Sequence, residues 1–263
     1  MLHNIVTFAA GGIVLIIGGL AAPAARADEA LDVALEALKT YDWGHDRSVL
    51  QPIDKAVASS HGDAAARNDL ESRLAALLNA DAPRAAKDAI CRQISLIGTA
   101  QSVPPLAALL VDEQLSHMAR YALERIPDAQ AVQALREALP KTQGRLKVGV
   151  INSLGVRRDA ESSSALIALL KDSDREVVAA AAGALGAIGN AEAAKVLGEL
   201  QTTAPSELRL VVADACLACA ERLLADGKKL QAMVIYKALS KPDQPKHVRV
   251  AATRGLLSAT KQN

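Results

Sequence analysis

The residue order points to an all-α fold, an α-solenoid of stacked helix pairs. Three features carry this: a repeat recurring at steps of 29, 31 and 31 residues, a helical spacing of apolar positions inside each copy, and an interior with almost no aromatic side chains. A repeat is sought first because missing one miscasts the whole architecture. The segments Ala89-Ile-Cys-Arg-Gln-Ile-Ser-Leu-Ile-Gly98, Arg120-Tyr-Ala-Leu-Glu-Arg-Ile-Pro127, Val150-Ile-Asn-Ser-Leu-Gly155 and Ala182-Gly-Ala-Leu-Gly-Ala-Ile-Gly189 align when Gly98, Pro127, Arg158 and Gly189 share a column. One column then reads Ile90, Ala119, Val150, Ala181; another reads Ile94, Leu123, Leu154, Leu185; Ile97, Ile126 and Ile188 follow a turn later. Offsets of i, i+4 and i+7 lie on one side of a helix, so these columns form its buried stripe. Hydrophobic residues are 51% of the 263 and aromatics 2%, so Ala, Leu, Val and Ile must fill the core, which suits thin helices stacked closely.

Taken in order, residues 1–27 read as a signal peptide: Ile13-Val-Leu-Ile-Ile17 is an apolar core, and Ala25-Arg26-Ala27 before Asp28 fits a cleavage pattern. The positive start is weak, with His3 and the terminal amine alone, so an uncleaved membrane anchor is the alternative. Either reading puts the body outside the cytoplasm, periplasmic or secreted. Residues 28–83 are expected to form an N-terminal helical cap around Tyr41-Asp-Trp-Gly44, with Trp43 shielded against the first repeat.

Residues 84–204 hold the clear copies, in which another kind of helix alternates with these: Pro104-Pro-Leu-Ala-Ala-Leu-Leu110, Val132-Gln-Ala-Leu-Arg-Glu-Ala-Leu139, Ala165-Leu-Ile-Ala-Leu-Leu170 and Ala193-Ala-Lys-Val-Leu-Gly-Glu-Leu200. Pro104 and Pro105 suit a first turn, where a missing N–H costs little. Pro127, Pro140 and Gly189 fall just past helix ends, and Asp174 suits an N-cap. Residues 205–263 are expected to form C-terminal helical hairpins. In them Ala218-Cys-Ala-Glu-Arg-Leu-Leu-Ala-Asp-Gly227 turning into Gln231-Ala-Met-Val-Ile-Tyr236 is tetratricopeptide-like, and a terminal helix follows.

The run Val177-Val-Ala-Ala-Ala-Ala-Gly-Ala-Leu-Gly-Ala-Ile-Gly-Asn-Ala-Glu-Ala-Ala194 and its weaker copies resemble HEAT repeats, and more closely the short-period, phycobilisome-lyase-like branch. The resemblance implies an α-solenoid with a right-handed superhelical course and says little about activity. In that family second helices line the concave side of the arc, which implies an inner ladder at Asp88, Arg92 and Ser95, then His117, Tyr121 and Glu124, then Val148, Asn152 and Gly155, then Ala179, Gly183 and Gly186. Its polar part, Asp88, Arg92, His117, Tyr121, Glu124 and Asn152, is the candidate surface for a protein or peptide partner.

No set for chemistry assembles, so no catalytic residue, metal ligand or cofactor is expected. None of His3, His45, His61, His117 and His247 stands at i, i+3 or i+4 from another. The His-Glu dipeptides that hold iron in HEAT-repeat hydroxylases are absent. Cys216-Leu-Ala-Cys219 sits mid-helix, where Cβ atoms about 5 to 6 Å apart suit packing better than a disulfide, and Cys91 adjoins the core column. His45-Asp46 and His61-Gly-Asp63 read as loops or helix caps, Ser162-Ser-Ser164 as a helix start, and Gly183, Gly186 and Gly189 as small residues for close helix packing.

From Gly227 onward eight Lys and Arg face Asp243 alone, a basic end suited to peripheral contact with an acidic surface. Nucleic acid is not expected for an exported protein. The functional expectation is a non-enzymatic scaffold or adaptor for protein–protein interactions in the cell envelope. A HEAT-like lyase or other enzyme, and an accessory subunit of an envelope redox or degradative complex, are the alternatives.

Overall fold

The computed structural model describes residues 23–261. The expected export signal lies on residues 1–22, outside the described residues, and on 23–27, which begin the first helix. Among the described residues there are fourteen α-helices and no strand, and none of the helices is long and apolar enough to cross a membrane.

The helices pack as successive pairs: α1 (Pro23–Leu38) with α2 (Gln51–Ser59), α3 (Ala64–Leu78) with α4 (Arg84–Ile97), α5 (Val103–Ala108) with α6 (Ser116–Leu123), and α7 (Ala129–Ala138) with α8 (Gly144–Arg157). Then come α9 (Ser163–Leu169) with α10 (Arg175–Ile188), α11 (Ala191–Thr203) with α12 (Arg209–Ala225), and α13 (Lys229–Leu239) with α14 (Lys246–Lys261). Second helices stack in an unbroken row, each of α2, α4, α6, α8, α10 and α12 packing on the next even-numbered helix. This is the α-solenoid that the periodicity predicts. α3, inside the expected cap, packs against α4, and α12, inside the tetratricopeptide-like stretch, packs along both α10 and α13.

The three core columns are buried throughout, from Ile90, Ala119, Val150 and Ala181 at 0% exposure to Ile97 at 7%. Each such side chain contributes about 1.5–3 kcal/mol of burial if fully withdrawn from water, less for Ala. Helix starts follow local chemistry. Asp63 accepts hydrogen bonds from the Ala65 and Ala66 amides, Asp128 from Gln130, Asp174 from Glu176 and Asn190 from Ala193, which satisfies donors that the first turn leaves orphaned. Pro104 and Pro105 occupy the first turn of α5. The shared alignment column closes α8 and α10 with left-handed residues, Arg158 at φ 52° and Gly189 at φ 63°.

Second helices approach closely through one further column. A Cβ on Gly155 would lie 2.9 Å from Ala184 Cα, and one on Gly186 would lie 2.5 Å from the Ala215 carbonyl oxygen. Glycine is therefore required at both places for backbone-level contact with the next copy. Gly183 has open space around it, so of the three glycines expected to pack helices it alone does not. Position 183 points away from the neighbouring second helix, one turn off the contact column.

Polar ties fasten adjacent copies. Glu71 is fully buried and accepts from the Thr99 amide at 2.6 Å and the Ser102 hydroxyl at 2.7 Å, holding α3 to the turn before α5. Arg136 of α7 grips both oxygens of Asp159 at 2.6 Å, and Ser162 also donates to Asp159. Burial alone would push the Asp159 carboxyl up; the Arg136 and Ser162 hydrogen bonds and the guanidinium charge outweigh it and hold the group below its ordinary value. Arg157 donates to the Glu124 carbonyl at 3.3 Å and the Asp128 carbonyl at 3.1 Å, capping the C-terminal end of α6 with a cation.

Trp43 departs from expectation: it is 62% exposed, while Tyr41 is half-buried. Asp42 accepts from the Trp43 amide at 2.8 Å and Gly44 takes φ 94°, a tight turn that throws the indole outward and leaves Tyr41 to pack.

Candidate functional site

The ladder residues sit on three stacked second helices, Asp88 and Arg92 on α4, His117 and Tyr121 on α6 with Glu124 just past its end, and Asn152 on α8. One column of it is open: Arg92, Asn152 and Gly183 are exposed and Tyr121 is half-buried. Within α4, Arg92 pairs with Asp88 at 3.2 Å across one helical turn. Just past α6, the Arg125 guanidinium lies 3.6 Å from the Tyr121 ring centroid and donates to the Tyr121 carbonyl at 2.8 Å. That stacking fixes the ring as a rigid face. His117 is exposed, one turn before Tyr121.

Glu124 lies elsewhere. It shares a repeat column with Gly155 and Gly186, and like them it meets the following second helix: the Ser153 hydroxyl donates to its carboxylate at 2.7 Å. Ser153 in turn aligns with Ala184 and Ala215, so a hydrogen bond occupies here the contact that Gly–Ala packing makes in later copies. Glu124 is accordingly 18% exposed and engaged between helices, whereas Asn152 faces outward.

Arg120 is the residue that pattern reading passed over. It stands in the column of Cys91, Ile151 and Ala182, each 0% exposed, so its charge enters a buried lane. Arg120 Nη1 donates to the Gly149 carbonyl at 3.0 Å and approaches Ser153 Oγ at 3.4 Å, while Nε has no partner. Burial strips solvent from this guanidinium and lowers its pKa, offset in part by Glu124. Gly149 makes the room: a Cβ there would fall 2.6 Å from Arg120 Cζ. An arginine in an otherwise apolar column, with a glycine 29 residues on, was the available signal.

Residues weighed for chemistry are occupied by structure. Cys91, Cys216 and Cys219 are buried free thiols, and burial pushes them up to about 12, 12 and 11. Thiols held that high are weak nucleophiles and weak metal ligands at neutral pH. The Asp42 amide donates to His45 Nδ1 at 3.2 Å, Asp46 caps a turn at Ser48, and Asp63 caps α3. Ser162 donates to Asp159 and Ser163 accepts from Asn190 at 2.8 Å. Among the described residues, no group of three or more His, Cys, Asp or Glu is placed to hold a metal ion. At the C-terminal end, Lys246, His247 and Arg254 of α14 are exposed beside Val250 and Leu257.

No curated protein matches the chain. Among solved structures, one engineered protein is 21% identical over 80% of this chain and 96% of its own, with a TM-score of 0.42. A second engineered protein is 20% identical over 89% of this chain and 68% of its own, with a TM-score of 0.44. Human deoxyhypusine hydroxylase in complex with glycerol is 15% identical over 91% of this chain and 99% of its own, with a TM-score of 0.36. Scores this low decide nothing for this chain, and the hydroxylase activity is that protein's own. A family model described as HEAT repeats matches residues 143–217, from the start of α8 into α12. The chain is an all-α solenoid, and its residues 143–217 match the HEAT-repeat model.

Proposed function

We propose that the protein is a non-enzymatic scaffold or adaptor of the cell envelope that holds a protein or peptide partner against its second helices. The observation that carries this is the open column Arg92, Tyr121 and Asn152 on the adjoining helices α4, α6 and α8, with Tyr121 stiffened by Arg125. A pre-ordered aromatic beside an arginine and an amide is the composition of an interface hot spot, since little side-chain entropy remains to be lost on binding. HEAT repeats commonly serve as protein-binding surfaces. The envelope setting rests on the apolar run Ile13–Ile17 and the Ala25-Arg26-Ala27 pattern.

The test is a pull-down from envelope extract with the intact chain and with Arg92 and Tyr121 both replaced by Ala. Loss of specific partners supports the assignment, and an unchanged partner set refutes it. A lyase-like or other enzymatic role, the alternative, is tested by metal and haem assay of the same preparation. The basic end of α14 is a second, peripheral contact for an acidic protein or anionic membrane surface. Its binding should weaken steeply with ionic strength.

A further inference from the structure

A cavity of about 730 Å³ opens between the N-terminal ends of α6 and α8, lined by Ser116, His117, Arg120, Gly144 and Arg145, with Glu113 also on its wall. Ser116 is 1% exposed and its hydroxyl has no hydrogen-bond partner; Arg120 Nε is likewise buried and unpaired. Buried polar atoms normally find partners, so two unpaired atoms on residues that line one cavity leave hydrogen-bonding capacity unused beside it. The backbone agrees. Gln143 gives α8 no side-chain cap, and the amides of His117, Gly144 and Arg145 donate no hydrogen bond. Asp112 already caps the start of α6 through the Gln114, Leu115 and Ser116 amides, so α6 offers the His117 amide alone, while α8 offers those of Gly144 and Arg145 and the positive end of its dipole, beside two arginines.

We infer that this cavity is a receptor for a single carboxylate carried by a peptide that lies along the adjoining groove. The inference rests on the scaffold reading and gives the partner its chemistry, an acidic segment. Two observations favour a carboxylate over a phosphate dianion. Glu113 stands on the wall and opposes a second negative charge, and Glu124 already offsets part of the Arg120 charge. His117 lies both on the cavity wall and on the ladder, so a peptide crossing Tyr121 can drop an acidic side chain into the cavity without leaving the groove.

The test follows backbone amide shifts of the full chain during titration with a capped oligoglutamate peptide, its oligoglutamine counterpart and inorganic phosphate. The expected result is saturable movement of His117, Gly144 and Arg145 with oligoglutamate alone, with binding about tenfold weaker in Arg145→Gln, as loss of one charge-assisted contact implies. Arg145 is exposed, so that variant keeps the fold; Ser116→Ala, checked by thermal melting, is the second variant and should weaken binding as well. Tighter binding of phosphate at the same amides overturns the peptide carboxylate, as do equal responses to the two peptides or no response. Failure here with partner loss in the Arg92 and Tyr121 variant would remove the carboxylate receptor and leave the scaffold standing. Success here with an unchanged pull-down would do the reverse.

Discussion

Replacing Gly183 and Gly186 separately by Ala, three residues apart in α10, separates helix propensity from copy-to-copy packing. Each change removes one interior helical glycine and should gain about 0.8–1.0 kcal/mol from propensity alone. At Gly183 nothing lies within 4 Å of the added Cβ, so the whole gain is kept. At Gly186 the Cβ would fall 2.5 Å from the Ala215 carbonyl oxygen and 3.0 Å from Ala215 Cα. These are backbone atoms, which cannot swing aside, so α12 must move, at an overpacking cost of about 1–3 kcal/mol. Gly183→Ala is therefore expected to stabilise, Gly186→Ala to be neutral or destabilising, and the two to differ by about 1–3 kcal/mol. Urea unfolding followed by far-UV circular dichroism reads the difference directly. Equal stabilisation by both substitutions would refute the close approach of α10 and α12 on which the stacking argument depends.

Three further outcomes follow from named contacts. Asp159 is held below its ordinary pKa, so its pairing with Arg136 stabilises the fold above the unfolded carboxylate value, near 4, and that contribution is lost as pH falls through the lower folded value. Arg136→Met should lower stability at neutral pH by about 1–3 kcal/mol and shrink the fall in melting temperature on acidification; an unaltered acid profile would contradict the clamp. Arg158 holds φ 52°, so Arg158→Gly should raise stability by about 0.5–1 kcal/mol, the left-handed penalty less the entropy of glycine; a lower melting temperature would count against it. Trp43, the sole tryptophan, should be quenched by acrylamide nearly as readily as a free indole, and a shielded emission would contradict the outward turn at Asp42–His45.

The core was legible because the solenoid repeats its buried positions: once Gly98, Pro127, Arg158 and Gly189 are aligned, Ile94, Leu123, Leu154 and Leu185 fall into one lane, and all four are fully buried. Helix caps were legible for the same local reason, since Asp63 and Asp174 act within three residues of themselves. What lay between copies was harder to see. Glu124 reads as an exposed ladder residue until Ser153, 29 residues later, draws it into the helix contact, and Gly183 and Gly186 look alike until α12 is seen against one of them. Arg120 announced itself only by standing in an apolar column. Trp43 misled because the whole Tyr41–Gly44 segment was expected to pack as a cap, whereas the four-residue turn at Asp42–His45 decides its direction.

The central claim is that the open column on α4, α6 and α8 is where a partner is held. Its most direct test is the affinity of a purified partner for the intact chain, for the chain with Arg92 and Tyr121 replaced by Ala, and for Gln133→Ala on the first helix α7, which lies off that column. The account predicts at least about a tenfold loss for the double variant, as for one interface hot spot, and no change for Gln133→Ala. Equal affinities for all three proteins would contradict it.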